Sequence, residues 1–145
     1  MYKTLLASVA LVPIMASAAM ASDDTRQLVE LPEMMRQHML GNMRDHLQAI
    51  AEIQQELSLG KFDNAGEIAE KRLGMTSMAA HGASHMAPFM PQQMQEIGTQ
   101  MHHEASRFAI IAQESAVDGD AKRAIAGLSL VTKQCVACHA AFRAR

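Results

Sequence analysis

The sequence is poor in aromatic residues, in residues that break helices, and in excess charge of either sign. Aromatic side chains make up 3% of the 145 residues, tryptophan is absent, and there are four prolines and eight glycines. Methionine is abundant instead, at 13 residues. A net charge of −2 provides no basic surface of the kind that binds nucleic acid. This composition is typical of a helical protein with a methionine-rich interior and no nucleic-acid partner.

Strand patterns and catalytic constellations are also missing from the sequence. No run shows the strict alternation of polar and apolar residues that is typical of a half-buried strand. No combination of a nucleophile and a base stands out, so turnover of a substrate is the least supported function. We therefore expect an all-α protein that is not an enzyme.

The amino-terminal segment has the three parts of a secretory signal. Lys3 is followed by an apolar run over residues 5–15, and small residues end the segment at Ala21. A membrane anchor needs about 20 apolar residues, and this run is shorter. We expect cleavage after Ala21 and export to the periplasm. The mature chain, residues 22–145, is then long enough for one domain and is expected to have no membrane span.

Apolar residues recur at three- and four-residue steps in four segments, which predicts four helices. The first helix is expected over residues 32–59, with Gly60 ending it. Phe62 and Asp63 predict the start of the second helix, with Asp63 as its N-cap. This second helix is expected to end near Gly74.

A long connection is expected between the second and third helices, because Gly82, Pro88 and Pro91 interrupt it. The third helix is expected from about residue 94 to residue 118. Acidic residues at 118 and 120 can cap a fourth helix, which is expected from residue 121 through Phe142. Four amphipathic helices in one small domain predict an antiparallel four-helix bundle.

The strongest motif lies near the carboxyl terminus, where the chain reads Cys135-Val136-Ala137-Cys138-His139. A Cys-x-x-Cys-His run is typical of covalent attachment of a c-type haem. Two thiols three positions apart on a helix point to the same side, so both can bond to one edge of a porphyrin. His139 can then bind the iron from the proximal side. We therefore predict one covalent haem c.

Two alternatives exist for the cysteine pair: a redox dithiol and half of a zinc site. A zinc site would need a second pair of ligands at similar spacing, and the chain has no other cysteine. A thioredoxin-like motif would follow a strand, and none is predicted before Cys135. The haem interpretation is therefore favoured.

The position of the motif within the fourth helix, with an aromatic residue and an arginine after it, resembles the class II cytochromes c. This is the cytochrome c prime and cytochrome c-556 group, and the resemblance is specific around residues 135–143. It implies a four-helix bundle that is often dimeric. It also implies thioether bonds from Cys135 and Cys138, and proximal ligation by His139.

The resemblance also indicates where the distal face of the haem lies, because the first helix lines it in this family. Counting back from the glycine turn at Gly60 reaches Met43. Met39 lies one turn earlier on the same face, so either thioether could reach the iron. Family members with a methionine there are low-spin electron carriers, whereas members with an apolar residue bind small gases. Met43 is the first candidate for the distal ligand and Met39 the second, with packing in the core as the alternative for each.

Three further residues flank the predicted haem site. Arg143 could neutralise a propionate or screen the proximal side of the iron, and the alternative is a solvated helix end, which cations favour. His38 and His46 flank the face of the distal methionines. Both are expected at the surface or at its boundary rather than as ligands.

The connection over residues 75–90 is dense in methionine and histidine, and methionines 94 and 101 and histidines 102 and 103 follow it. Thioether and imidazole groups bind copper, so a second metal site is conceivable. No spacing here matches a defined copper motif. The favoured expectation is that several of these methionines cover the haem edge while the histidines face water.

Three functions from different classes follow from these features. The first is a periplasmic electron carrier that exchanges electrons with redox partner proteins, which requires a methionine on the iron. The second is a five-coordinate cytochrome c prime that binds nitric oxide or carbon monoxide. The third is a periplasmic copper-binding protein that uses the methionine- and histidine-rich connection.

Overall fold

The computed structural model describes residues 24–145, so the predicted signal segment lies outside the described residues. These described residues form five α-helices and two short strands. In chain order these are β1 (Gln27–Val29), α1 (Glu33–Ser58), α2 (Phe62–Arg72), α3 (Ala83–Met86), α4 (Gln92–Asp118), α5 (Ala121–Ala141) and β2 (Phe142–Ala144). The prediction of an all-α protein is confirmed, with a very small sheet added.

The ends of the long helices lie close to the positions predicted from sequence. Helix α1 ends at Ser58, and Gly60 turns the chain with a φ of 69°. Helix α5 begins after Asp120, whose side chain accepts a hydrogen bond from the Arg123 amide at 2.9 Å. The predicted N-cap of α2 is wrong. That helix begins one residue before Asp63, which lies in its first turn, where a carboxylate favours the positive end of the helix dipole.

The connection between α2 and α4 contains little regular helix, as the sequence predicts. It consists of two short 3-10 turns, Met75–Ser77 and Ala87–Phe89, and the four-residue helix α3 between them. Gly82 precedes α3 with a φ of 64°, a left-handed conformation that favours glycine.

Most of the packing involves α4, which lies against both α2 and α5, while α2 also lies against α1. The contact between α1 and α5 is small by comparison. Helices α2 and α4 approach closely at Gly66, where a Cβ atom would lie 2.9 Å from the Ala109 carbonyl oxygen. The buried residues where α1, α2, α4 and α5 meet form what we call the main core: Ala49, Ile53, Leu57, Phe62, Ala65, Ala69, Leu73, Met101, Ala105, Phe108, Ala112, Ala124, Leu128 and Val131.

A second apolar cluster joins the amino-terminal end of α1 to the carboxyl-terminal end of α5, and we call it the methionine cluster. Its buried members are Val29, Leu31, Met39, Met86 and Phe142, with the partly buried Met35, Met90, Met94, Ile97, Cys138 and Ala141 packed against them. Thioethers from α1, from the connection and from α4 therefore meet a motif cysteine of α5.

The two strands pair in parallel and were not predicted from sequence. Gln27 lies opposite Phe142, and Val29 lies opposite Ala144. Each strand has three residues, which is too short for a two-residue alternation to be recognised. Because of this pairing, α5 ends at Ala141, and the expectation that the helix runs through Phe142 is wrong by one residue.

Among the described helices, α5 meets the length and composition expected of a membrane span. One such helix is weak evidence, because helices in the core of a soluble protein pass the same test. Helix α5 packs along α4 and contributes Ala124, Leu128 and Val131 to the main core.

Candidate functional site

The two motif cysteines lie near the end of α5, and both are free and partly buried. Cys135 packs against the main core, and its Sγ lies 3.7 Å from the Val131 carbonyl oxygen. Cys138 packs against the methionine cluster. Burial raises the pKa of both thiols. A catalytic dithiol needs a thiolate with a lowered pKa, so this environment disfavours the redox alternative.

The structure places the two candidate distal ligands differently. Met39 is buried in the methionine cluster, with 6% of its surface exposed, and Cys138 packs against the same cluster. Met43, one turn later on α1, is 37% exposed and is not part of that cluster. The fold therefore brings Met39 and a motif cysteine together, and it leaves Met43 at the surface.

His139 lies in the last turn of α5 and its side chain is exposed. Arg26, just before β1, donates a long hydrogen bond of 3.5 Å to the backbone carbonyl of His139. Arg143, in β2, lies 3.5 Å from an Asp24 carboxylate oxygen. Hydrogen bonding from Arg26 lowers the pKa of Asp24 to about 2 despite its exposure. Two guanidinium groups thus lie at the end of the molecule that carries the motif.

Arg26 was not among the residues singled out from the sequence. It lies far from the motif along the chain, and the parallel pairing of β1 with β2 brings the two together. Strands this short leave no periodic signal, so the sequence offered no sign of this neighbour.

A small cavity opens at one side of the methionine cluster, with a volume of about 200 Å³. Its lining residues are Met34, Met35, His38, Gly82, His85 and Met86. Sites for small molecules and cofactors usually measure about 300–1,000 Å³, so this cavity would have to widen to admit a haem. A larger cavity, between α2 and α4, has no residue of the motif in its lining.

Three imidazoles from different parts of the chain form what we call the histidine cluster: His46 of α1, His81 of the connection and His102 of α4. The ring centroids lie 4.7 Å apart for His46 and His81, 5.4 Å for His81 and His102, and 6.0 Å for His46 and His102. His46 and His102 are each 8% exposed. As the side chains stand, no group of three or more His, Cys, Asp or Glu residues within 24–145 is arranged to hold a metal ion.

Burial dominates the electrostatics of the histidine cluster. It lowers the pKa of His46 to about 4, and repulsion from His81 and His102 adds to the effect. Burial also lowers the pKa of His81 and of His102. All three rings are therefore neutral near pH 7, and each carries a nitrogen with a free lone pair.

Two expectations about histidines are wrong and two are confirmed. His46 was expected at the surface or at its boundary, but it is buried and continues the stripe of α1 that includes Met39, Ala49 and Ile53. That stripe follows three- and four-residue steps, so its spacing could have indicated the burial. His81, in the connection, was expected to face water, yet it is half-buried. His38 in α1 and His85 after Gly82 are exposed, as expected.

Comparison with protein-family models, with curated proteins and with solved structures found no match to this chain. No relative therefore supplies a function for it.

Proposed function

We propose that this chain is a periplasmic c-type cytochrome that carries one covalent haem and transfers electrons. In this proposal Cys135 and Cys138 form the thioether bonds and His139 is the proximal ligand. The observation that carries it is the position of Cys138 against the apolar cluster that buries Met39. Met39 therefore replaces Met43 as the preferred distal ligand.

The packing of the helices supports a haem between α1 and α5. These two helices contact each other little, whereas the main core holds together α2, α4, α5 and the carboxyl-terminal half of α1. Five of the eleven residues in the methionine cluster are methionines, whose side chains have three rotatable bonds. The methionine cluster can therefore rearrange around a flat ring while the main core holds the four long helices together. In this proposal α1, α2, α4 and α5 form the four-helix bundle.

Haem iron supplies one-electron redox chemistry when bound, and the chain's own residues tune it. The thioether of Met39 is a soft ligand that favours the reduced metal and raises the reduction potential. Phe142, which is 4% exposed, helps to exclude water from this side. In this proposal Arg26 and Arg143, which both pair with Asp24 in the structure, would pair with the propionate groups.

Visible spectra of the reduced protein, with and without carbon monoxide, test this proposal. The protein is produced in a host that attaches c-type haem, as wild type, Met39→Ala and Met43→Ala. We expect a sharp α band that carbon monoxide does not shift in the wild type and in Met43→Ala. Met39→Ala is expected to have a broad band that shifts with the gas, because it lacks the sixth ligand.

Each other result has a definite meaning. A gas-sensitive spectrum from Met43→Ala, with Met39→Ala unaffected, would make Met43 the ligand. A wild-type protein that binds carbon monoxide readily would contradict electron transfer and favour a gas-binding cytochrome of the prime type, with Met39 only packing in an apolar pocket.

A further inference from the structure

We propose that the histidine cluster binds a divalent transition-metal ion such as Zn²⁺, at a site separate from the haem motif. Each nitrogen ligand lies about 2 Å from a tetrahedral zinc ion, so imidazoles that share one ion have centroids about 5 Å apart. The centroid separations of 4.7, 5.4 and 6.0 Å in the cluster agree with that spacing.

His46 provides an independent sign that a ligand belongs here. Its Nε2 is buried and has no hydrogen-bond partner, and it is the one such side-chain atom among the described residues. Leaving a buried polar atom without a partner costs about 1–3 kcal/mol. The ring that carries this nitrogen is close to two further imidazoles, with centroid distances of 4.7 Å to His81 and 6.0 Å to His102 and interplanar angles of 61° and 87°. A bound ion would satisfy this nitrogen.

The other two histidines are oriented as metal ligands usually are. Nδ1 of His102 donates a hydrogen bond of 2.7 Å to the Leu73 carbonyl, which leaves Nε2 with its lone pair. The Ser77 hydroxyl donates to the Gly74 carbonyl at 2.7 Å, so it can only accept from Nδ1 of His81, 3.3 Å away. Nε2 of His81 is therefore also free. Ligating histidines characteristically hold their second nitrogen in this way.

The backbone of His81 is held in place by α1. Its carbonyl lies 2.8 Å from Nε2 of His38 and accepts a hydrogen bond of 3.0 Å from the Asn42 amide. The ring of His81 is half-buried and belongs to a loop, so a small rotation that keeps the Nδ1 hydrogen bond to Ser77 can bring the three nitrogens to one point. Its solvent side can admit the ion and a water as the fourth ligand.

The donor set selects the class of ion. Three neutral imidazoles suit zinc and copper(II), whereas magnesium and calcium prefer oxygen ligands. The nearest carboxylate in sequence, Asp45, is paired with Arg72 at 2.5 Å. The proposed site also differs from a copper site built from the methionines of the connection. Its ligands are imidazole nitrogens, and His81 is the one residue that the connection contributes.

Equilibrium dialysis of the full chain against Zn²⁺, followed by metal analysis, tests the proposal. We expect one zinc per chain, and at least about 10-fold weaker binding in His81→Ala, since loss of a supporting partner alone costs that much. His85→Ala and His103→Ala are matched controls: His85 shares the connection with His81, and His103 follows His102. Both controls are expected to bind zinc as the wild type does.

Three further variants sharpen the test. Ser77→Ala is expected to weaken zinc binding about 10-fold, because it releases the His81 ring. His46→Gln is expected to weaken it at least as much, with helix content checked by circular dichroism. The double variant Cys135→Ala, Cys138→Ala is expected to keep full zinc binding, which separates this site from the haem motif. Zinc binding that is absent in the wild type, unchanged in His81→Ala, or lost with the two cysteines would overturn the proposal.

Discussion

The main core and the methionine cluster bury apolar side chains in different ways. Most residues of the main core are alanines or branched aliphatic residues, with Phe62, Phe108 and Met101 among them. Ala49, Ile53, Ala65, Phe108 and Ala112 have no exposed surface. Methionine, a long and unbranched thioether, is the commonest residue of the methionine cluster, at five of its eleven members, and six of the eleven are only partly buried. Small side chains allow helices to approach closely, as at Gly66, whereas thioethers adapt to irregular space.

The main core and the methionine cluster therefore have different structural roles. The main core fixes α2, α4 and α5 relative to one another, and the carboxyl-terminal half of α1 joins it through Ala49, Ile53 and Leu57. The methionine cluster occupies the side where α1 and α5 meet little, which is the side of Cys138. A rigid half and an adaptable half are what a protein needs if it must enclose a large rigid ring without losing its fold.

The largest effect is expected from the main core. Phe108 has no exposed surface and packs at the centre of α4, so Phe108→Ala should lower the free energy of unfolding by about 3–5 kcal/mol. Urea denaturation followed by circular dichroism measures this. The exposed neighbour variant Ile110→Ala is the control and should change stability by less than about 0.5 kcal/mol. Equal effects from both variants would mean that α4 does not pack as described.

The next largest effect is expected at the polar edge of the main core, where burial lowers the pKa of His46 from 6.5 to about 4. Below pH 6.5 the unfolded chain binds a proton that the folded chain does not. The free energy of unfolding should therefore fall by up to about 3 kcal/mol as the pH falls towards 4.

Urea denaturation at several pH values, with a chelator present, measures this slope. His46→Gln cannot take up the proton and should show a flatter dependence between these pH values. A wild-type protein as stable at pH 4 as at pH 7 would show that His46 is not buried in neutral form.

The smallest effect is expected from the methionine cluster. Met86 is 7% exposed, yet its flexible neighbours can fill the space that it leaves. Met86→Ala should therefore cost about 2 kcal/mol, the lower limit for a buried methionine. Met34→Ala, at a position that is 80% exposed, is the control and should have almost no effect. A loss as large as that of Phe108→Ala would remove the contrast between the two regions.

The sequence predicted features whose signal is local. Helix ends follow from residues such as Gly60 and Asp120. The motif from Cys135 to His139 can be recognised because all of its residues lie within about one helical turn. The choice between Met39 and Met43 depends on how α1 is rotated relative to the rest of the fold, which no local pattern records.

Contacts between distant segments were equally hidden. The strands β1 and β2 are too short to show a period, so the approach of Arg26 to His139 had no sequence signal. The histidine cluster unites α1, the connection and α4, and only the buried stripe of α1 hinted at the position of His46.

Retention of haem after denaturation tests the central claim most directly. The wild type and the double variant Cys135→Ala, Cys138→Ala are produced in a host that matures c-type haem, denatured, and extracted with acidified organic solvent. We predict that the haem stays with the wild-type chain and is absent from the double variant. Haem that is extracted from the wild type, or that stays with the chain lacking both thiols, would contradict the assignment of a c-type cytochrome.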